Sequence, residues 1–132
     1  MSKYTDYQFK PFLQDAIAKL GFTEPTPIQK EIIPLVLKGK SAIGQAHTGT
    51  GKTHSFLLPI VERIVEQKQE VQAVITSPTR ELAQQIFDAL NQLTEGTEIT
   101  SKLFIGGTDK QRSIDRLKTH QKFVVPVLLL VK

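Results

Sequence analysis

The residues Ala46-His47-Thr48-Gly49-Thr50-Gly51-Lys52-Thr53 have the types and spacing of a loop that wraps a polyphosphate. Such a loop needs glycines, so that the backbone can turn with positive φ and bring its N–H groups against phosphate oxygens; Gly49 and Gly51 supply them. A helix opening at Lys52 adds the positive end of its dipole, and the Lys52 ammonium reaches the β and γ phosphates. The Thr53 hydroxyl is then placed to ligate Mg²⁺. The chemistry is capture of a nucleoside triphosphate, with Thr48, Gly49, Thr50, Gly51, Lys52 and Thr53 as the binding set and Lys52 and Thr53 acting on the phosphates. The strict phosphate-loop pattern asks for glycine at position 46, where this chain has Ala46. The plain alternative is an ordinary glycine-rich strand-to-helix turn.

Two other clusters carry polar chemistry. In Thr26-Pro27-Ile28-Gln29, Thr26 as N-cap, Pro27 at the first helical position and Gln29 at the third form a capping box. A glutamine amide also pairs with a donor and an acceptor on one edge of adenine, which separates it from guanine. Both roles stay open for Gln29. In Ser77-Pro78-Thr79-Arg80-Glu81-Leu82 a strand ends at proline and a helix starts, so N–H groups and the Thr79 hydroxyl can face a phosphate and Arg80 can add a bidentate contact. Alternatively Thr79 only caps the helix and Arg80 pairs with a carboxylate of the chain.

Positioning these clusters requires helices and strands in alternation. Phe12, Leu13, Ile17 and Leu20 recur with helical spacing after Pro11, and Gly21 suits a C-cap. A second helix is expected from Pro27 to about Leu37, closed by Gly39, with Pro34 inside it. Ser41–Gln45 reads as a strand, Lys52 to about Glu66 as a long helix, and β-branched Val71–Thr76 as a strand buried on both faces. Arg80–Leu93 is a helix, Glu98–Ile105 a strand, Asp109 to about Leu117 a basic helix, and Phe123 onward a fourth strand. The alternation implies an α/β fold, a parallel sheet with helices on both faces, and ligand binding at the carboxyl ends of its strands.

Composition is consistent with one domain: 132 residues, 39% hydrophobic and 23% charged, without repeats. The formal charge of +4 makes a polyanionic partner plausible without identifying it. Absence of cysteine excludes disulfides and thiolate metal sites, and His47, His54 and His120 lack metal-ligand spacing. The polar start has no signal-peptide core. The apolar run Phe123–Val131, broken by Pro126, is well short of the ~20 residues of a spanning helix. A cytoplasmic protein with no membrane segment is expected.

Taken in order, the motifs resemble those of DEAD-box ATP-dependent RNA helicases. Gly21-Phe22-Thr23-Glu24-Pro25-Thr26-Pro27-Ile28-Gln29 resembles the Q motif, Ala46–Thr53 matches motif I in its A-x-T-G-x-G-K-T form, and Pro78-Thr79-Arg80-Glu81-Leu82-Ala83 matches motif Ia. Gly106-Gly107 falls where that family has its glycine doublet, and Ile105–Lys110 with the basic helix after it looks like the bacterial cold-shock group. The resemblance implies a RecA-like domain using ATP and Mg²⁺, with RNA as partner. It adds Phe22 and Gln29 to the ATP site, together with an upstream aromatic. Tyr4, seventeen residues before Gly21, has the customary spacing although Phe is usual there, and Phe9 is its competitor. RNA backbone contacts fall to Pro78, Thr79, Arg80, Gly106, Gly107 and Thr108, although Gly106-Gly107 alone reads as a tight turn.

After Val125 the family continues with T-P-G-R and then D-E-A-D, whereas this chain reads Pro126-Val127-Leu128-Leu129-Leu130-Val131-Lys132. The expectation is an incomplete first RecA-like domain over 1–132: Q-motif helices in 1–40, βα units in 41–125, and an aberrant tail in 126–132 of the kind left by a shifted or truncated reading frame. Val124–Val131 is expected as an exposed apolar edge, and ATP hydrolysis is not expected of these residues alone. The competing readings are a P-loop kinase or other NTPase acting on a small substrate, and a non-catalytic truncation product.

Overall fold

Glycine and proline set the helix boundaries. In a computed structural model of the chain, which describes residues 3–45, 51–66, 68, 70–104 and the backbone of 127–131, a 3₁₀ turn (Tyr4–Tyr7) leads into α1 (Pro11–Lys19) and α2 (Pro27–Leu37). Gly21 and Gly39 follow these helices at φ +77 and +80. There the Phe22 N–H reaches back to the Ile17 carbonyl and the Lys40 N–H to that of Leu35, satisfying carbonyls the helix ends leave over. The helix α2 continues through Pro34. The carbonyl that proline leaves without a helical donor belongs to Lys30, an exposed residue that water can serve.

The chain divides into two compact units, Met1–Arg63 with Leu93–Glu95, and Ile64–Gln92 with Gly96–Lys132. In the first, α2 packs along α3 (Lys52–Arg63). Ile33, Leu57, Leu58 and Val61 are fully buried, as is Leu13 of α1, and Ile17 beside it is buried. The Lys10 N–H donates to both Glu62 carboxylate oxygens at 3.2 and 3.0 Å, fixing the entry to α1 against the end of α3.

The second unit holds β1 (Ala73–Ser77), most of α4 (Arg80–Thr94), β2 (Ser101–Phe104) and β3 (Val127–Val131). The strands form a parallel sheet in the order β1-β3-β2, with Ala73 and Ser101 both opposite Val127. Helix α4 buries Ala83, Ile86, Ala89, Leu90 and Leu93 at 3.6-residue spacing, while Leu82, expected on that stripe, is exposed.

Several expectations are corrected. Ser41–Gln45 is not a strand: it is exposed, with Ile43 at 95%, and pairs with nothing among the described residues. Its Gly44 lies instead against α2, where a Cβ would sit 3.1 Å from the Ile32 side chain and 3.2 Å from that of Ile28. The long helix stops at Arg63 rather than Glu66. The Gln72 side-chain amide takes both the N–H and the carbonyl of Val65 at 2.8 Å, so these groups leave the helical pattern. Strand β1 alternates in burial instead of being buried throughout: Ile75 and Ser77 are covered, and Val74 is 55% exposed. The expected strand 98–105 is shorter, at Ser101–Phe104. The run expected as an exposed apolar edge is, over 127–131, hydrogen-bonded on both sides as the middle strand. The expected helix at 109–117 lies outside the described residues.

Candidate functional site

The capping box predicted for Thr26 and Gln29 forms. The Gln29 N–H donates to the Thr26 hydroxyl at 3.4 Å, and the Thr26 N–H donates to Gln29 Oε1 at 3.2 Å. Gln29 does more than close this box. Its Nε2 donates to the Gly51 carbonyl at 3.2 Å, joining the start of α2 to the residue before α3. The Tyr4 hydroxyl donates to Gln29 Oε1 at 2.5 Å. The amide is 1% exposed, so each of these bonds operates away from water and each polar atom needs its partner.

Gly51 is fixed by both conformation and space. Its φ is +80, and a Cβ there would come within 2.5 Å of Gln29 Nε2 and within 2.9 and 3.0 Å of the Thr26 side chain. The positive φ expected of this glycine is thus present, and the close approach is to protein. The Gly51 carbonyl also accepts from the Ser55 N–H at 3.1 Å, so it opens the helical ladder of α3 while holding Gln29. Lys52 follows with its side chain exposed, and Thr53 is half-buried in the same first turn. Ala46, Thr48, Gly49 and Thr50 lie outside the described residues.

Three rings gather beside this junction. Phe22 lies 6.2 Å from Tyr4, the planes inclined by 25°, and meets His54 edge-on at 5.0 Å and 87°. Tyr4 is 6% exposed, and burial holds its phenol above the ordinary range, so it is a protonated donor to Gln29 at neutral pH. Phe9, the competing aromatic, is buried and faces Tyr7 instead. Tyr4, Thr5, Gln14, Ile17, Ala18 and Phe22 contribute to the lining of a cleft of ≈ 370 Å³, to which Gln29 does not contribute.

His54 was not among the sequence candidates. The signal was available: a histidine on the first turn of the helix that starts at Lys52. Its Nε2 is buried and has no hydrogen-bond partner among the described residues, as is true of the Tyr7 hydroxyl. Burial lowers its pKa below the ordinary 6.5. The unfolded chain therefore takes up this proton more readily than the folded one, so the stability that goes with a neutral His54 is full above the unfolded pKa and is lost as pH falls from there through the lower folded pKa. The urea midpoint is expected to drop between about pH 7 and about pH 5, and to drop less in His54→Phe. Equal slopes in the two proteins would remove His54 as the source.

In the other unit, Pro78, Thr79 and Arg80 are exposed where β1 gives way to α4. Thr79 caps the helix: its hydroxyl accepts from the Leu82 N–H at 3.2 Å, and its carbonyl accepts from the Ala83 N–H and the Ser77 hydroxyl. Arg80 has no carboxylate within salt-bridge range among the described residues, so the internal pairing considered for it is not formed there. Gly106, Gly107 and Thr108 lie outside the described residues. Among those described, no cluster of acidic, histidine or cysteine side chains could hold a metal ion, and no helix is long and apolar enough to cross a membrane.

Comparison with known proteins gives the family and the fold. The chain is similar to the DEAD-box ATP-dependent RNA helicase CshB of Bacillus subtilis, 56% identical over 127 residues that make up 94% of this chain and 29% of the relative. It is 52% identical to the protein of that name from Listeria monocytogenes, again covering 94% of this chain and 29% of the relative. The chain thus spans under a third of the curated relatives it matches. Among solved structures it resembles a DEAD box protein from Methanococcus jannaschii, with a TM-score of 0.83 and 29% identity over 99% of this chain and 35% of the other, which establishes the RecA-like α/β fold. A model of the DEAD/DEAH box helicase family matches residues 26–130, a span that takes in the Thr26–Gln29 box, Gly51, the β1–α4 junction and most of β3, and the chain belongs to that family.

Proposed function

We propose that this chain is the leading part of the first RecA-like domain of a cytoplasmic ATP-dependent RNA helicase, and that its own residues supply the ATP-binding half of the machinery. The observation that carries the reading is the Gln29–Gly51 hydrogen bond, which couples the base-selecting turn to the loop that leads into Lys52. In this reading Gln29 meets the base, with Tyr4 and Phe22 beside it, while Thr48 to Thr53 take the phosphates. The exposed Lys52 at the helix start neutralises their charge. A threonine hydroxyl suits Mg²⁺, which is held by few protein oxygens and completes its shell with water and phosphate. Thr53 is the ligand here, and the ion when bound screens charge on the phosphates. Pro78, Thr79 and Arg80, with Gly106, Gly107 and Thr108, contact the RNA backbone. Exposure of Arg80 without an internal carboxylate among the described residues supports its part.

Residues 1–132 contain no D-E-A-D sequence, so the paired carboxylates that orient water are not among them, and binding without turnover is proposed for the chain by itself. Titration calorimetry with ATP and Mg²⁺, and separately with a single-stranded RNA, tests this. Saturable binding of both is expected. ATP binding with no RNA binding would favour a small-substrate NTPase, and binding of neither would make the chain an inert product.

A further inference from the structure

Helices α2 and α3 lie side by side and run in the same direction. Their first turns meet where Gln29 donates to the Gly51 carbonyl, and their last turns meet where Arg63 Nη1 donates to the Val36 carbonyl at 3.3 Å. The second meeting point is roughly 16 Å along α3 from Lys52, at about 1.5 Å per residue, and so out of reach of phosphates held there.

Three cations gather at this far end on a turn of fixed shape. Gly39, at φ +80, lets the chain fold back over the end of α2, and the N–H groups of Lys38, Gly39 and Lys40 donate to the carbonyls of Pro34, Val36 and Leu35. Lys38 and Lys40 are thus held on either side of Gly39, and a Cβ on that glycine would sit 3.8 and 3.9 Å from the two terminal nitrogens of Arg63. All three side chains are exposed, and none has a carboxylate within salt-bridge range among the described residues.

The plain reading is that these cations only offset the negative ends of two helices. The charges do not balance on that reading. Two helix ends together carry about one unit of negative charge. The Glu62 carboxylate adds another, and it is already engaged by the Lys10 N–H. Against three cations this leaves about one positive charge over. Arg63 uses one of its five N–H donors on Val36, so its fork stays open to a phosphate. Leu35 is the one exposed large hydrophobic residue of α2, too little apolar surface for a helix that lies in a membrane.

We propose that Lys38, Lys40 and Arg63 form a second contact surface for the RNA backbone, additional to Pro78, Thr79 and Arg80, which belong to the other compact unit. That the polyanion is RNA rests on the helicase reading. Phosphate contacts carry no base information, so this surface holds RNA of any sequence.

The test is anisotropy of a fluorescent oligouridylate bound to the 132-residue chain across a salt series. Each phosphate contact to a single strand contributes about 0.7 to the slope of log affinity against log salt. Lys38→Gln combined with Lys40→Gln removes side chains that make no hydrogen bond or ion pair among the described residues. This double variant is expected to lower the slope by about 1.4 and, near 0.1 M salt, the affinity by about 25-fold. Adding Arg63→Gln brings the fall in slope to about 2. The double variant's ATP affinity and urea midpoint are expected to stay unchanged. A slope change under about 0.5 in it overturns the proposal, and so does a parallel loss of ATP affinity or stability, which would make the effect one of folding. Arg80→Gln separates the two surfaces: if it flattens the slope and the double variant does not, this proposal falls and the RNA reading of the β1–α4 junction stands. If the unsubstituted chain binds no oligouridylate, both fall. Loss of binding to anionic phospholipid vesicles with oligouridylate binding intact would assign the surface to a membrane and overturn the proposal as well.

Discussion

Lys52→Ala is expected to weaken ATP binding by about ten- to a hundredfold while leaving the urea midpoint of the chain unchanged. The side chain is exposed at the first position of α3, so truncation removes no packing, and alanine is the best helix former. The loss is therefore confined to the ligand. A hydrogen bond to a charged group contributes roughly 1.5–3 kcal/mol, which is the stated range at about 1.4 kcal/mol per factor of ten. Calorimetry at constant Mg²⁺ measures the affinity and urea unfolding measures the stability. An unchanged ATP affinity would show that the phosphates do not meet Lys52, and the nucleotide-site reading would fall. In a longer protein that includes the carboxylates, the same substitution is expected to abolish RNA-stimulated turnover.

Gly51→Ala should act in the opposite way, through stability first. At φ +80 a side chain costs about 1–2 kcal/mol from backbone sterics alone. The new Cβ also falls 2.5 Å from Gln29 Nε2, so the buried amide has to withdraw and leave the Gly51 carbonyl, a further cost of about 1–3 kcal/mol. A loss of about 2–5 kcal/mol is expected, large against the roughly 5–15 kcal/mol that holds a typical domain folded. Gly21→Ala is the internal comparison. Its φ is +77, yet nothing lies within 4 Å of the added carbon, so it should show the conformational part alone. If the two variants lose the same stability in urea, the contact between Gln29 and the loop carries no energy.

Much of this was legible from local sequence. The helices followed from apolar spacing between proline starts and glycine stops, because a helix end is satisfied by residues two or three positions away. The Thr26–Gln29 box was readable for the same reason. Ser41–Gln45 was misread, since a strand exists only through its neighbours, and the one clue, Gly44, concerns approach to Ile28 and Ile32 of a helix already passed. The Val65–Gln72 closure and the Tyr4–Gln29 bond were invisible for a related reason. A glutamine's amide gives no sign in sequence of whether it will serve a peptide group, a phenol or a ligand. His54 was set aside because it lacked metal-ligand spacing, a criterion blind to its edge contact with Phe22.

The position of β3 has a bearing on how the protein is made. Among the described residues it is the last of three strands to leave the ribosome, and there β1 and β2 bond to it and not to each other. Until Val127–Val131 has been synthesised, β1 and β2 lack the strand that joins them among the described residues, however completely the segments before it have folded. Birth of this unit therefore waits on a segment some fifty residues downstream of its first strand, a span in which a nascent chain depends on whatever shields it from its neighbours.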